Sequence, residues 1–163
     1  MIKSLLGIAA NTVLTEAIAE ELHASQLYKH LANQCQRIGL FGAAKKFRDE
    51  SSDELTHYQL IADYMNDRGG VAMLPDIEAI DEPVASLVDA IKSAYDAETS
   101  LGSKYAKWYS SILSIDPITA QFLLQFLEFQ RKSIGEYGDW LSRLGLVGDD
   151  RCAILIIDKE LGA

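Results

Sequence analysis

An all-α four-helix bundle, with one long crossover between helices two and three and a short C-terminal helix, is the fold this sequence predicts. Three observations predict it. Four stretches of helical spacing lie between Pro and Gly breaks, short links join the first and last pairs, and a long link joins the middle two. Proline removes a backbone donor and breaks helix interiors. Pro75, Pro83 and Pro117 punctuate the chain, together with Gly39, Gly42 and the Gly69-Gly70 pair. The helical stretches run approximately over 11–38, 41–68, 84–114 and 117–145, and one domain is expected over 1–163.

In the first stretch, Leu14, Ile18, Ser25, Tyr28, Ala32 and Cys35 recur at spacings of three and four, one face of a helix. The second repeats the pattern with Phe47, Ser51, Tyr58, Ile61 and Met65. Gly39–Gly42 between them is short, which makes the pair an antiparallel hairpin. The segment from Gly69 to Pro83 is long enough, at about 3.3 Å per residue, to reach roughly 50 Å. A helix of about 28 residues spans about 42 Å. The link can therefore travel the whole bundle and start the third helix parallel to the second. Ser86 with Asp89 reads as a capping pair ahead of the stripe Leu87, Ile91, Tyr95, Leu101 and Tyr105. Asp116 before Pro117 supplies a cap and then a first-turn proline for the last long helix, which carries Leu123, Phe126, Tyr137, Leu141 and Leu144. The segment after Arg151 is ambiguous. Its β-branched residues allow a strand, and IIDKEL reads equally as a short final helix over about 151–161.

Twenty-four acidic against 15 basic residues give a net charge of −9. That balance disfavours nucleic acid and anionic membrane as partners, because both call for clustered Lys and Arg. It suits cations. Cys35 and Cys152 form no disulfide framework and no zinc pattern, and they fit a reducing compartment. The longest apolar run, Ala153 to Ile157, falls far short of the roughly 20 residues of a membrane span. The first residues run into a Glu-rich helical pattern without a clear cleavage site, so a soluble cytoplasmic chain is expected.

The apolar stripes are interrupted. Glu21 lies on the first, Glu54 on the second with His57 three residues on, Glu98 on the third and Gln130 on the fourth. An ionised carboxylate in a core is very unfavourable unless it is paired or coordinated. The four positions lie near mid-height in their helices, so a bundle brings them, with His57, into one layer. No Lys or Arg shares these stripes at that height, which leaves metal cations as the economical counter-charge. Carboxylate oxygen with one imidazole suits iron or manganese, and Glu-x-x-His puts both side chains on one helix face, as in carboxylate-bridged bundles. Tyr28 is a core aromatic placed to hydrogen-bond the layer. His23 and His30 sit off the Glu21 stripe and read as surface or interface residues.

At these residues the sequence resembles the non-haem ferritins of bacterial type. EELHASQLY around Glu21 and Tyr28, DELTHYQ around Glu54 and His57, AE at Glu98 and EFQRKSIGEYGDWL around Gln130 carry the resemblance, with IIDKEL similar to the family's terminal helix. It spans essentially the whole chain. It implies a ferritin-like fold and a di-iron ferroxidase centre, with Glu21, Glu54 and His57 at one iron, Glu54, Glu98 and Gln130 at the other, Glu54 bridging, and Tyr28 beside them. It further implies a homo-oligomeric shell of 24 subunits that oxidises Fe²⁺ with O₂ or peroxide and stores the ferric mineral.

The departures matter as well. Leu55 stands where the haem-containing relatives have methionine, and Ser133 stands where they have a second histidine, so no haem is expected. Phe129 and Lys132 stand near positions where bacterial members place glutamates for a third iron, and no acid lies between Asp116 and Glu128 to line a pore. Two other readings stay open on the residues alone. One is a non-shell di-iron or di-manganese oxidase acting on an organic substrate; the other is a metal-free helical interaction protein.

Overall fold

A computed structural model of the chain describes residues 3–163. Five helices follow one another: α1 (Ile8–Arg37), α2 (Phe41–Asp67), α3 (Leu87–Ile112), α4 (Pro117–Val147) and α5 (Arg151–Leu161). No strand occurs among the described residues, so the ambiguous segment after Arg151 is helical. The boundaries lie within about three residues of those the sequence predicts. The start of α1 lies three residues earlier and that of α3 three residues later, where Ser86 caps the helix by accepting from the Asp89 amide at 3.1 Å. Asp116 caps α4 as expected, accepting from Thr119 N at 3.1 Å ahead of Pro117.

The start of α2 is held differently. Its own N-cap position is Leu40, which offers no side-chain acceptor. Asp158 of α5 supplies one, accepting from Gly42 N at 3.1 Å and from Ala43 N at 2.8 Å. Gly42 is thus not a break but part of the first turn of α2, and its lack of a side chain is a packing requirement. A Cβ there would lie 1.7 Å from the Asp158 carbonyl oxygen. The true break is at Gly39, whose φ of +86° favours glycine.

The core consists of two apolar clusters. One gathers Leu31 and Cys35 of α1, Phe47 of α2, Ile91 of α3 and Tyr137 of α4, together with Ile157 of α5. The other gathers Leu14 and Ile18, Ile61 and Met65, Tyr105 and Ile112, and Leu123 and Phe126. Along α2 and α3 the chain passes from the first cluster to the second; along α1 and α4 it runs the other way. α2 and α3 are therefore parallel, and each hairpin is antiparallel. The link of residues 68–86 travels the bundle as its length predicts, with Ala72 packed on the second cluster and Ile80 on the first. Among the described residues no helix is long and apolar enough to cross a membrane. Both cysteines are free: Cys35 is buried, which pushes its thiol up to about 12, and Cys152 is exposed.

Candidate metal centre

Between the two clusters lies a polar layer. Glu21, Glu54, Glu98 and Gln130 are each no more than 2% exposed. The interrupted stripes predict such a layer, and all four positions are buried. Glu21, Glu54 and His57 converge so closely that one potential ligand atom from each lies within 4.8 Å of the others. His57 Nδ1 stands 2.8 Å from Glu54 Oε2 and 3.5 Å from Glu21 Oε2.

Glu98 and Gln130 line the same layer from α3 and α4. Gly102, one turn beyond Glu98, packs against Gln130 and Ile134 of α4, where a Cβ would lie 3.4 Å from the Gln130 Cβ and 3.3 Å from Ile134 Cδ1. Tyr28 donates its hydroxyl to Glu98 Oε1, so this tyrosine positions a carboxylate. A second tyrosine does the same at the other end. Tyr105, read from the sequence as core, donates to Glu21 Oε1. Its signal is present in the chain: Tyr105 follows Glu98 by seven residues, as Tyr28 follows Glu21.

The electrostatics are those of buried acids with little counter-charge. Glu21 Oε2, Glu98 Oε2 and Gln130 Oε1 are buried acceptors with no hydrogen-bond partner among the described residues. Buried polar atoms of this kind are costly and uncommon. Among the described residues no Lys or Arg pairs with these groups, and His57 is the one cationic partner. Burial raises the Glu98 carboxyl to about 8, with repulsion from Glu54 adding to it and the Tyr28 hydrogen bond working against. Burial likewise raises Glu54; the His57 hydrogen bond offsets part of this and Glu21 adds to it. Burial lowers His57, but its bonds to Glu21 and Glu54 outweigh that and push it up overall. Carboxylate and amide oxygens with one imidazole, several of them unpartnered, are a donor set that a hard or borderline divalent cation completes.

The α2–α4 groove beside this layer is a cavity of about 340 Å³ lined by Lys46, Glu50, Asp53, His57, Phe129 and Lys132, among others. Lys46 Nζ lies 2.7 Å from both Glu50 and Glu136. Glu50 is thereby engaged by an ammonium, while Asp53 is exposed. His30, read from the sequence as a surface or interface residue, is part-buried, with Nε2 2.7 Å from the Glu82 carbonyl of the crossover.

A ferritin profile, described as a ferritin-like domain, matches residues 11–147. The chain belongs to the ferritin family. Ferritin of Pacifastacus leniusculus is 31% identical over 153 residues, covering 91% of this chain and 84% of that protein. The bacterial non-heme ferritin of Escherichia coli O157:H7 is 28% identical over 152 residues, covering 91% and 90%. Among solved structures, an open-pore ferritin from the hyperthermophilic archaeon Archaeoglobus fulgidus superposes with a TM-score of 0.93 at 25% identity, covering 96% of this chain and 98% of that one.

Proposed function

We propose that this ferritin-family chain oxidises Fe²⁺ to Fe³⁺ at the mid-bundle layer and stores the product as a ferric mineral inside a shell of 24 copies. The observation that carries the reading is the set of buried acceptors left without partners, Glu21 Oε2, Glu98 Oε2 and Gln130 Oε1, around a Glu54–His57 pair. Iron is the substrate. Glu21, Glu54 and His57 would hold one ion and Glu54, Glu98 and Gln130 a second, with Glu54 shared. The overall step balances as two Fe²⁺, one O₂ and two protons giving two Fe³⁺ and one H₂O₂; peroxide as oxidant takes two further Fe²⁺ and two protons to water.

The chain's own groups have defined work in this step. The carboxylates supply negative charge that favours the higher oxidation state, since Fe³⁺ gains more from it than Fe²⁺ does. Tyr28 and Tyr105 each hold one oxygen of a terminal carboxylate and leave the other free for the metal. The apolar clusters above and below exclude water from all but the ligand layer. A cytoplasmic setting and the absence of haem belong to the same proposal.

The test is anaerobic loading with Fe²⁺ followed by air. Two irons per subunit oxidise in a fast phase that Glu54→Ala abolishes. Wild-type oxidation no faster than in buffer overturns the reading. Sizing of the same sample separates a shell from a monomeric or dimeric oxidase, and unchanged stability with added divalent cation would favour a metal-free role.

A further inference from the structure

His57 is held by more than its carboxylates. Its ring lies flat on Phe129 of α4, with centroids 4.6 Å apart and planes 5° from parallel. Phe126, one turn earlier on α4, meets the same imidazole edge-on at 6.0 Å and 77°. The two phenylalanines stand edge-to-face with each other at 5.7 Å and 78°. Together they form an aromatic corner with a slot for one planar ring. Phe126 also stacks on Tyr105 at 5.0 Å, so the corner is continuous with the tyrosine that holds Glu21.

The slot matters because His57 has somewhere else to go. The imidazole is partly exposed, on the wall of the α2–α4 groove. Asp53 lies in that groove four residues earlier on the same helix, the spacing at which side chains on a helix surface meet. Free to turn, the ring would have an alternative carboxylate partner away from Glu21 and Glu54.

The geometry points to Phe129 as a positioning residue that keeps the His57 imidazole on the metal side of α2, with Nδ1 directed at Glu54 and Glu21. The inference rests on the proposed metal centre. It gives a specific purpose to a residue for which the sequence offers only the loss of a ligand. What is required at position 129 is a flat face; bulk alone does not serve. Residues that orient a metal-binding imidazole commonly affect metal affinity by about tenfold or more.

The experiment compares Phe129→Leu, which keeps apolar bulk without a flat face, and Phe129→Trp, which keeps the face, with wild-type assembled protein under anaerobic Co²⁺ titration. Visible absorption reports the ligand field and the affinity, and thermal unfolding of the metal-free proteins reports folding. Phe129→Leu is expected to weaken Co²⁺ binding about tenfold and alter the spectrum, and Phe129→Trp to restore both. A crystal structure of metal-free Phe129→Leu is expected to show His57 turned toward Asp53. The proposal is overturned if Phe129→Leu matches wild type, or if Phe129→Trp is no better than Phe129→Leu while all three unfold at similar temperatures. A wild-type protein with no Glu54-dependent Co²⁺ binding overturns the metal centre itself, and this proposal with it. That failure shows in wild type against Glu54→Ala, without any Phe129 variant, so the two are distinguishable.

Discussion

Tyr105 of α3 donates to Glu21 of α1, and Tyr28 of α1 donates to Glu98 of α3, so the two helices exchange identical supports across the bundle. The exchange follows from helix geometry. Helical side chains lean toward the N-terminus and α1 and α3 are antiparallel, so a tyrosine two turns after a glutamate on one helix and the glutamate of the other lean toward each other. Tyr105→Phe removes a donor from a buried carboxylate, at a cost of about 1–3 kcal/mol. The expected outcome is lower stability of the metal-free protein, with most of the loss recovered on adding Zn²⁺. Chemical denaturation with and without the ion measures both, and a loss that Zn²⁺ leaves intact would show that Tyr105 acts on packing alone.

Cation binding should release protons. Burial raises Glu98 to about 8, with repulsion from Glu54 adding to it, and Glu54 is raised chiefly by burial. Between the ordinary carboxyl value and about 8, the folded metal-free protein retains protons that the unfolded chain has lost. Its stability therefore falls as pH rises through that window. A divalent cation must displace those protons, so affinity should rise with pH over the same range. Calorimetry in buffers of different ionisation heat counts the protons released at pH 7, and a count of zero would contradict the raised carboxyls.

Lys46 should matter more at high pH than at low. Burial raises the Glu50 carboxyl, and the hydrogen bond and charge of Lys46 pull it back. Lys46→Met leaves Glu50 without that partner, at a cost of about 1–3 kcal/mol when Glu50 is ionised. Without Lys46 the carboxyl is raised further, so the penalty should shrink as pH falls and the carboxyl takes up a proton. Unfolding midpoints of the variant and wild type at pH 5 and pH 8 give the comparison.

The cap across the fold is open to a direct test. Asp158→Ala removes the acceptor for two amides at the start of α2, a loss of about 1–2 kcal/mol. Gly42→Ala should cost more, because its Cβ meets the backbone of α5 and displaces that helix. Equilibrium denaturation ranks the two.

Most of the bundle is legible in the chain because its signals are local. The stripes at spacings of three and four, the Ser86 and Asp116 caps and the length of the middle link each constrain a neighbouring element, and the structure agrees with them. The polar layer is legible for a related reason: Glu21, Glu54, Glu98 and Gln130 interrupt stripes that are otherwise apolar. What stays hidden depends on contacts between distant segments. Asp158 lies 115 residues from Ala43, and nothing local marks it as the cap of α2. Gly42 therefore reads as a break when it is a point of close packing. Phe129 reads as a missing ligand because its stacking on His57 exists only once α2 and α4 meet. Tyr105 is an intermediate case. Its spacing from Glu98 repeats that of Tyr28 from Glu21, but the exchange of partners needs both helices in place.

The division of the apolar interior into two clusters bears on how the chain opens. Each half is sealed by its own interlocking side chains, whereas the seam between them holds three buried acceptors, Glu21 Oε2, Glu98 Oε2 and Gln130 Oε1, without a partner among the described residues. Fluctuations of the subunit purified without metal should concentrate at this waist, with amide exchange quickest there along otherwise protected helices. Ions bridging all four helices would couple the halves into one cooperative unit. The cargo would then also be a late structural component, and a subunit's rigidity would report whether iron has reached it.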